Sequence, residues 1–100
     1  MKGWVYIITN KSMPNLVKVG FSTKDPQTRA DDMYSTGVPH PYVVEYEVLV
    51  DNPRSIEQKA HKLLNECIEN KNREWFRCEI IKAVIAIREA AGNGIIHESI

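Results

Sequence analysis

The chain has little of what usually settles a protein's class at once. It has two cysteines, Cys67 and Cys78, in 100 residues. That is too few for a disulfide scaffold, and Cys67 falls in the apolar register of a helix, where a buried free thiol is expected. No Cys-x-x-Cys or His-x3-His spacing is present, which removes the common structural zinc sites. No apolar run approaches the about 18–20 residues that cross a bilayer as a helix. The apolar stretch after Lys2 is short and is interrupted by Tyr6, Thr9 and Asn10. No membrane anchor or secretion signal is therefore expected, and a soluble cytoplasmic protein is. Net charge is missing too: 13 basic and 13 acidic residues cancel. This speaks against a non-specific, high-affinity binder of polyanions, but not against a catalyst that touches few phosphates. No repeat, linker or low-complexity tract divides the chain. One small domain over residues 1–91 is expected, with 92–100 as a tail.

What is present is patterning. Residues 3–9 and 16–22 are rich in Val, Ile and aromatic residues and flank a turn at Met13-Pro14-Asn15, which predicts a hairpin. Asp25-Pro26 pairs an N-cap with a first-turn proline and predicts a helix to about Ser35, ended by Gly37. Tyr42 to Asp51 alternate, with Tyr42, Val44, Tyr46, Val48 and Val50 on one face and Glu45 and Glu47 on the other. Asn52-Pro53 repeats the cap-and-proline signal. The following helix carries Ile56, Ala60, Leu63, Leu64, Cys67 and Ile68 on one stripe. A short extended piece over Glu74–Cys78 precedes a last helix, Glu79–Ala91, with Ile80, Ile81, Val84, Ile85 and Ile87 turned inward. The order β-β-α-β-α-(β)-α predicts an α+β fold: a small, mainly antiparallel sheet of about three strands flanked by helices.

Period-two alternation puts Tyr6 on one face of the first strand and Lys18 with Gly20 on the matching face of the second, opposite the aliphatic residues that pack. Arg29 follows on the first helix, and Arg73-Glu74-Trp75-Phe76 comes later. A phenol, an ammonium, a guanidinium and a carboxylate are suited to handling a phosphodiester. Each residue also has a plainer role. Tyr6 could be strand packing, Lys18 a solvated strand residue, Arg29 an ion-pair partner of Asp25 or Asp32, and Glu74 a surface carboxylate. Glu57 and His61 are four apart and can meet on one helix face. His40 lies between prolines in a loop. Trp75 and Phe76 are expected to wedge into the core.

These residues resemble the GIY-YIG endonuclease superfamily, in its small single-domain branch from phages and bacteria. The resemblance rests on Trp4-Val5-Tyr6, Lys18-Val19-Gly20, Arg29, the Glu57/His61 pair and Arg73-Glu74-Trp75-Phe76, in that order, over residues 3–87. In that branch Lys often replaces the second signature tyrosine, as Lys18 does here. The literal Gly-Ile-Tyr and Tyr-Ile-Gly are absent. Met33, with Tyr34 beside it, stands where many members have His or Tyr, and Asn93 is the only candidate for a C-terminal orienting Asn.

The resemblance implies a nuclease that hydrolyses phosphodiester bonds in nucleic acid, DNA before RNA, with one Mg2+ or Mn2+ held by Glu74 as the sole protein ligand. Mg2+ keeps several waters, so one carboxylate plus substrate phosphate suffices. Tyr6 would activate or orient the attacking water, its phenol drawn from its usual value of about 10 by Lys18 and the ion. Lys18 and Arg29 would stabilise charge on the phosphate. His40, Glu57, His61 and Arg73 would support these groups or touch substrate. No separate DNA-reading module is present, so specificity would be low or come from a dimer or a DNA-targeting partner. The competing reading is a weak or inactive domain of the same fold that serves as a nucleic-acid or protein interaction module.

Overall fold

The computed structural model describes residues 1–70 and 74–99. Its elements are β1 (Lys2–Asn10), β2 (Leu16–Ser22), α1 (Pro26–Met33), β3 (Tyr42–Asp51), α2 (Pro53–Leu63), a 3-10 turn (Asn65–Cys67), β4 (Ile68–Asn70), β5 (Trp75–Arg77), α3 (Ile80–Ala91) and β6 (Ile95–Ser99). The strands form one antiparallel sheet in the order β4-β5-β2-β1-β3-β6. The class is α+β as the sequence predicts, with six strands rather than about three. Strand β5 is the short extended piece expected over 74–78; the additions are β4 and β6, of three and five residues, too short to show a period. The segment 95–99, expected in the tail, is β6 and pairs with β3. Among the described residues no helix is long and apolar enough to cross a membrane.

The main core lies between the sheet and the α2/α3 layer. Val5, Ile7, Val17, Val19, Tyr46, Val48 and Val50 from the strands meet Ile56, Ala60 and Leu64 of α2 and Ala83, Val84, Ala86 and Ile87 of α3. Phe76 joins them, and Trp75 is buried too. A smaller cluster lies on the opposite face, where Tyr6 and Ile8 pack under Ala30 of α1, with Met33, Tyr42 and Val44 against them. The Tyr6/Lys18 face is therefore not open to water.

Three predicted stripes are corrected. Tyr42 and Val44 do not share a face with Tyr46. The β1/β3 register shifts between Ile7, which pairs with Tyr46, and Ile8, which pairs with Val44. The extra residue is a bulge at Glu45, and a slip of one residue reverses the faces beyond it. In α3, Ile80, Ile81 and Ile85 are exposed, as are Leu63 at the end of α2 and Ile68 in β4. Alanines 83 and 86 face inward instead, because small residues let α3 approach its neighbours closely.

Local signals set most element ends. Asp25 caps α1 through Oδ2, which accepts from the Thr28 amide at 3.4 Å. The helix ends at Met33, short of Ser35. Asn52 does not cap α2 with its side chain. It takes a left-handed conformation, φ 57°, that turns β3 into the helix.

Candidate active site

The site forms where β5 stops. It pairs with β2 only from Leu16 to Lys18, so the outer edge of β2 is uncovered beyond that point. The next residue, Val19, has both backbone polar groups pointing to the missing strand. Its N–H donates to the Glu74 carbonyl at 3.2 Å, and its carbonyl accepts from His61 Nε2 at 2.7 Å. A turn residue and an α2 side chain thus complete the edge in place of a strand. In the notch they border, groups from both faces of the sheet meet.

Glu74 sits at the notch with φ 64°, a left-handed conformation that a non-glycine residue rarely adopts. Lys18 Nζ donates to Glu74 Oε1 at 3.3 Å, and the Lys18 side chain is 9% exposed. From α2, Glu57 and His61 approach through the i, i+4 relation, with His61 Nδ1 3.8 Å from Glu57 Oε1. Glu57 is 4% exposed. Its Oε2 is buried without a hydrogen-bond partner. The carboxylate beside it is that of Glu74, which can partner it only when one of the two is protonated. Burial first, and the Glu74 carboxylate second, push the Glu57 acid up to about 8.

Tyr6 enters from the α1 side. It is opposite Gly20 in the β1/β2 register, and its ring occupies the space that a Cβ on Gly20 would fill. The Arg29 guanidinium, on exposed α1 surface, lies near enough to the Tyr6 phenol to favour its ionised form. Burial raises the phenol above its ordinary value, and Arg29 draws it only part of the way back. Tyr6 is therefore protonated at neutral pH in the metal-free protein and can donate; the phenolate that the resemblance implies involves a bound ion as well as Lys18.

The structure thus gathers Tyr6, Lys18, Glu74, Glu57 and His61, with Arg29 at the rim. It does not bring His40 in: the His40 carbonyl accepts from Asn10 Nδ2 at 2.9 Å, at the hairpin end of β1. Met33 packs in the smaller core, Tyr34 is exposed, and Asn93 lies in the turn after α3. Arg73 lies outside the described residues. A groove of about 570 Å3, lined by Thr9, Leu16, Val43 and Ile80 among others, opens at the hairpin end and includes none of the gathered residues.

The sequence paired Glu57 with His61 but missed that both converge on Glu74. One ligand atom from each of the three lies within 4.8 Å of the others. Two carboxylates and an imidazole, with a buried carboxylate oxygen lacking a partner, suit a divalent cation. The signal was a charged residue on the buried side of an amphipathic helix, next to Ile56 and one turn before Ala60.

No curated protein and no solved structure matches the chain. The family model of the T5orf172 domain matches residues 3–91, from the second residue of β1 to the end of α3 and across the whole notch, so the chain belongs to the T5orf172 domain family.

Proposed function

We propose that the domain is a metal-dependent endonuclease that hydrolyses phosphodiester bonds in DNA. One observation carries the reading: Tyr6, Lys18, Arg29 and Glu74, from four separate segments, surround one notch at a sheet edge. A scaffold needs none of these four together. Arg29, exposed at the rim, would hold a non-bridging phosphate oxygen with its planar fork. Lys18 would add positive charge where negative charge grows in the transition state. Protonated Tyr6, held over Gly20, would orient the attacking water or the phosphate by donating a hydrogen bond. Glu74 would hold a divalent ion, which when bound supplies Lewis-acid polarisation of the scissile phosphate.

The competing reading, an inactive interaction module, draws on the zero net charge and on Met33 lying in the core. One experiment separates the two. The purified protein is incubated with supercoiled plasmid, single strands and branched DNA, in Mg2+, Mn2+ or EDTA, and gel-shift affinities are measured in parallel at fixed salt. The nuclease reading expects metal-dependent cleavage of at least one substrate. It also expects Glu74→Gln to lower single-turnover cleavage by about 100-fold or more with binding retained, and Arg29→Ala to weaken both. Binding with no cleavage of any substrate favours the interaction module. Unchanged cleavage by Glu74→Gln overturns the mechanism.

A further inference from the structure

The resemblance assigns the ion to Glu74 alone, yet the two α2 side chains beside it are arranged as ligands. The imidazole of His61 is fixed first. A backbone carbonyl only accepts, so the 2.7 Å contact to Val19 requires the proton on Nε2. In the neutral ring this leaves the lone pair on Nδ1, which faces Glu57 Oε1 at 3.8 Å. That separation is too long for a hydrogen bond. A metal-ligating His commonly has its second nitrogen tied to a carbonyl in this way, which sets tautomer and ring orientation.

Glu57 supplies the independent observation. Its Oε2 is buried without a partner, in a residue 4% exposed. A stranded carboxylate oxygen costs stability unless something cationic reaches it. Lys18 Nζ ion-pairs with Glu74 Oε1, and the charges of Lys18 and Arg54 act on Glu57 more weakly than burial and the Glu74 carboxylate do. Donors on a single ion, with bonds of about 2.0–2.2 Å, stand roughly 3–4 Å apart. The three ligand atoms lie within 4.8 Å of one another, so a small contraction closes the set.

We propose that Glu57, His61 through Nδ1, and Glu74 together bind one divalent ion, and that the imidazole makes the site prefer a first-row transition ion such as Mn2+ to Mg2+. Nitrogen donors suit the transition ions, whereas Mg2+ favours oxygen ligands and retained water. Three protein ligands leave positions for water and a phosphate oxygen. The inference deepens the nuclease reading and rests on it only for the ion's use in hydrolysis.

The test uses the full chain without nucleic acid. Titration calorimetry with Mn2+ and with Mg2+ should show one equivalent bound and Mn2+ tighter by about tenfold or more. Pulsed electron paramagnetic resonance of the Mn2+ complex should show coupling to a directly bound nitrogen. His61→Gln preserves a side-chain N–H for the Val19 carbonyl but has no nitrogen at the Nδ1 position. It should abolish that coupling and weaken Mn2+ by about tenfold, while Mg2+ changes little. Glu57→Gln should weaken both ions. Should His61→Gln misfold, the wild-type spectrum decides alone. Mn2+ bound without nitrogen coupling, or no ion bound, overturns the proposal. Nitrogen-coupled Mn2+ with no DNA cleavage sinks the nuclease reading and leaves this one standing. Metal-dependent cleavage without the coupling does the reverse.

Discussion

A Cβ built on Gly20 would stand 2.6 Å from the Tyr6 phenol oxygen and 2.7 Å from the ring carbon that bears it. Gly20 is thus the seat of the Tyr6 side chain, and the ring cannot yield easily because Tyr6 is 2% exposed and packed with Ile8 and Ala30. Gly20→Ala is expected to displace the ring and to cost about 1–3 kcal/mol, the usual range for overpacking. Cleavage should fall at least as far as in Tyr6→Phe. The control is a double-mutant cycle in urea denaturation. In a Tyr6→Ala background the Gly20→Ala penalty should largely vanish. An equal penalty in both backgrounds would show that the two residues do not constrain each other.

The corrected packing of α2 and α3 makes a second prediction. Leu64 is 1% exposed in the main core, whereas Ile81 is 56% exposed. Leu64→Ala should cost about 2–5 kcal/mol. Ile81→Ser should stay within about 0.5 kcal/mol, as surface substitutions do. Chemical denaturation with matched slopes checks both. A large loss at Ile81 would restore the isoleucine-in orientation of α3 that its sequence suggests.

How far the sequence can be read depends on whether a single local effect decides each feature. The hairpin is legible because Tyr6 and Gly20 lie in strands long enough to show a period, and the structure pairs them. The start of α1 is legible because Asp25 and Pro26 act locally. The inner face of α3 is not, because Ile80, Ile81, Ala83, Val84, Ile85, Ala86 and Ile87 are apolar nearly all round. Periodicity then cannot choose a face, and close packing selects the alanines. The faces of β3 are lost to a single bulged residue, Glu45, which no propensity marks. In the site, Tyr6, Lys18, Arg29 and Glu74 are legible as neighbours. The role of Glu57 depends on where β5 ends beside β2, a relation between distant segments that spacing along the chain does not carry.

The sheet edge gives a third prediction. β6 pairs with β3 from Glu47 to Val50, and Ile95 packs against the core. Glu98 accepts from the Tyr46 hydroxyl and from Arg88 Nε, the latter at 2.6 Å. Ending the chain after Gly94 should therefore uncover the β3 edge and leave buried Tyr46 without its hydroxyl partner. The melting temperature should fall by about 5 °C or more, which is roughly 1 kcal/mol for a domain of this size. An unchanged melting temperature would make β6 an ornament of the sheet rather than part of its cooperative unit.

The Glu57 carboxyl links the site to folding through pH. Its folded value is pushed up to about 8 from an ordinary 4.5, by burial and by the neighbouring Glu74 carboxylate. In metal-free protein the folded state therefore keeps a proton that the unfolded chain has already released. Since stability changes with pH as the difference in bound protons, the Glu57 contribution must fall as pH rises between those two values. The slope approaches at most about 1.4 kcal/mol per pH unit. Below pH 4.5 the contribution is constant, and above about 8 it is constant again at its lower level. Glu57→Gln keeps the shape and removes the titration. The quantity to measure is the wild-type minus Glu57→Gln unfolding free energy, in EDTA, at pH 5, 6.5 and 8. It should decline steadily across the series, with the mutant becoming the more stable protein at the upper end. Adding Mn2+ should reverse the trend in the wild type, because an ion held by the ionised carboxylates stabilises the form that alkaline pH favours. A flat difference in EDTA would mean that Glu57 ionises as if exposed, and the closed notch seen beside Val19 would then not persist in solution.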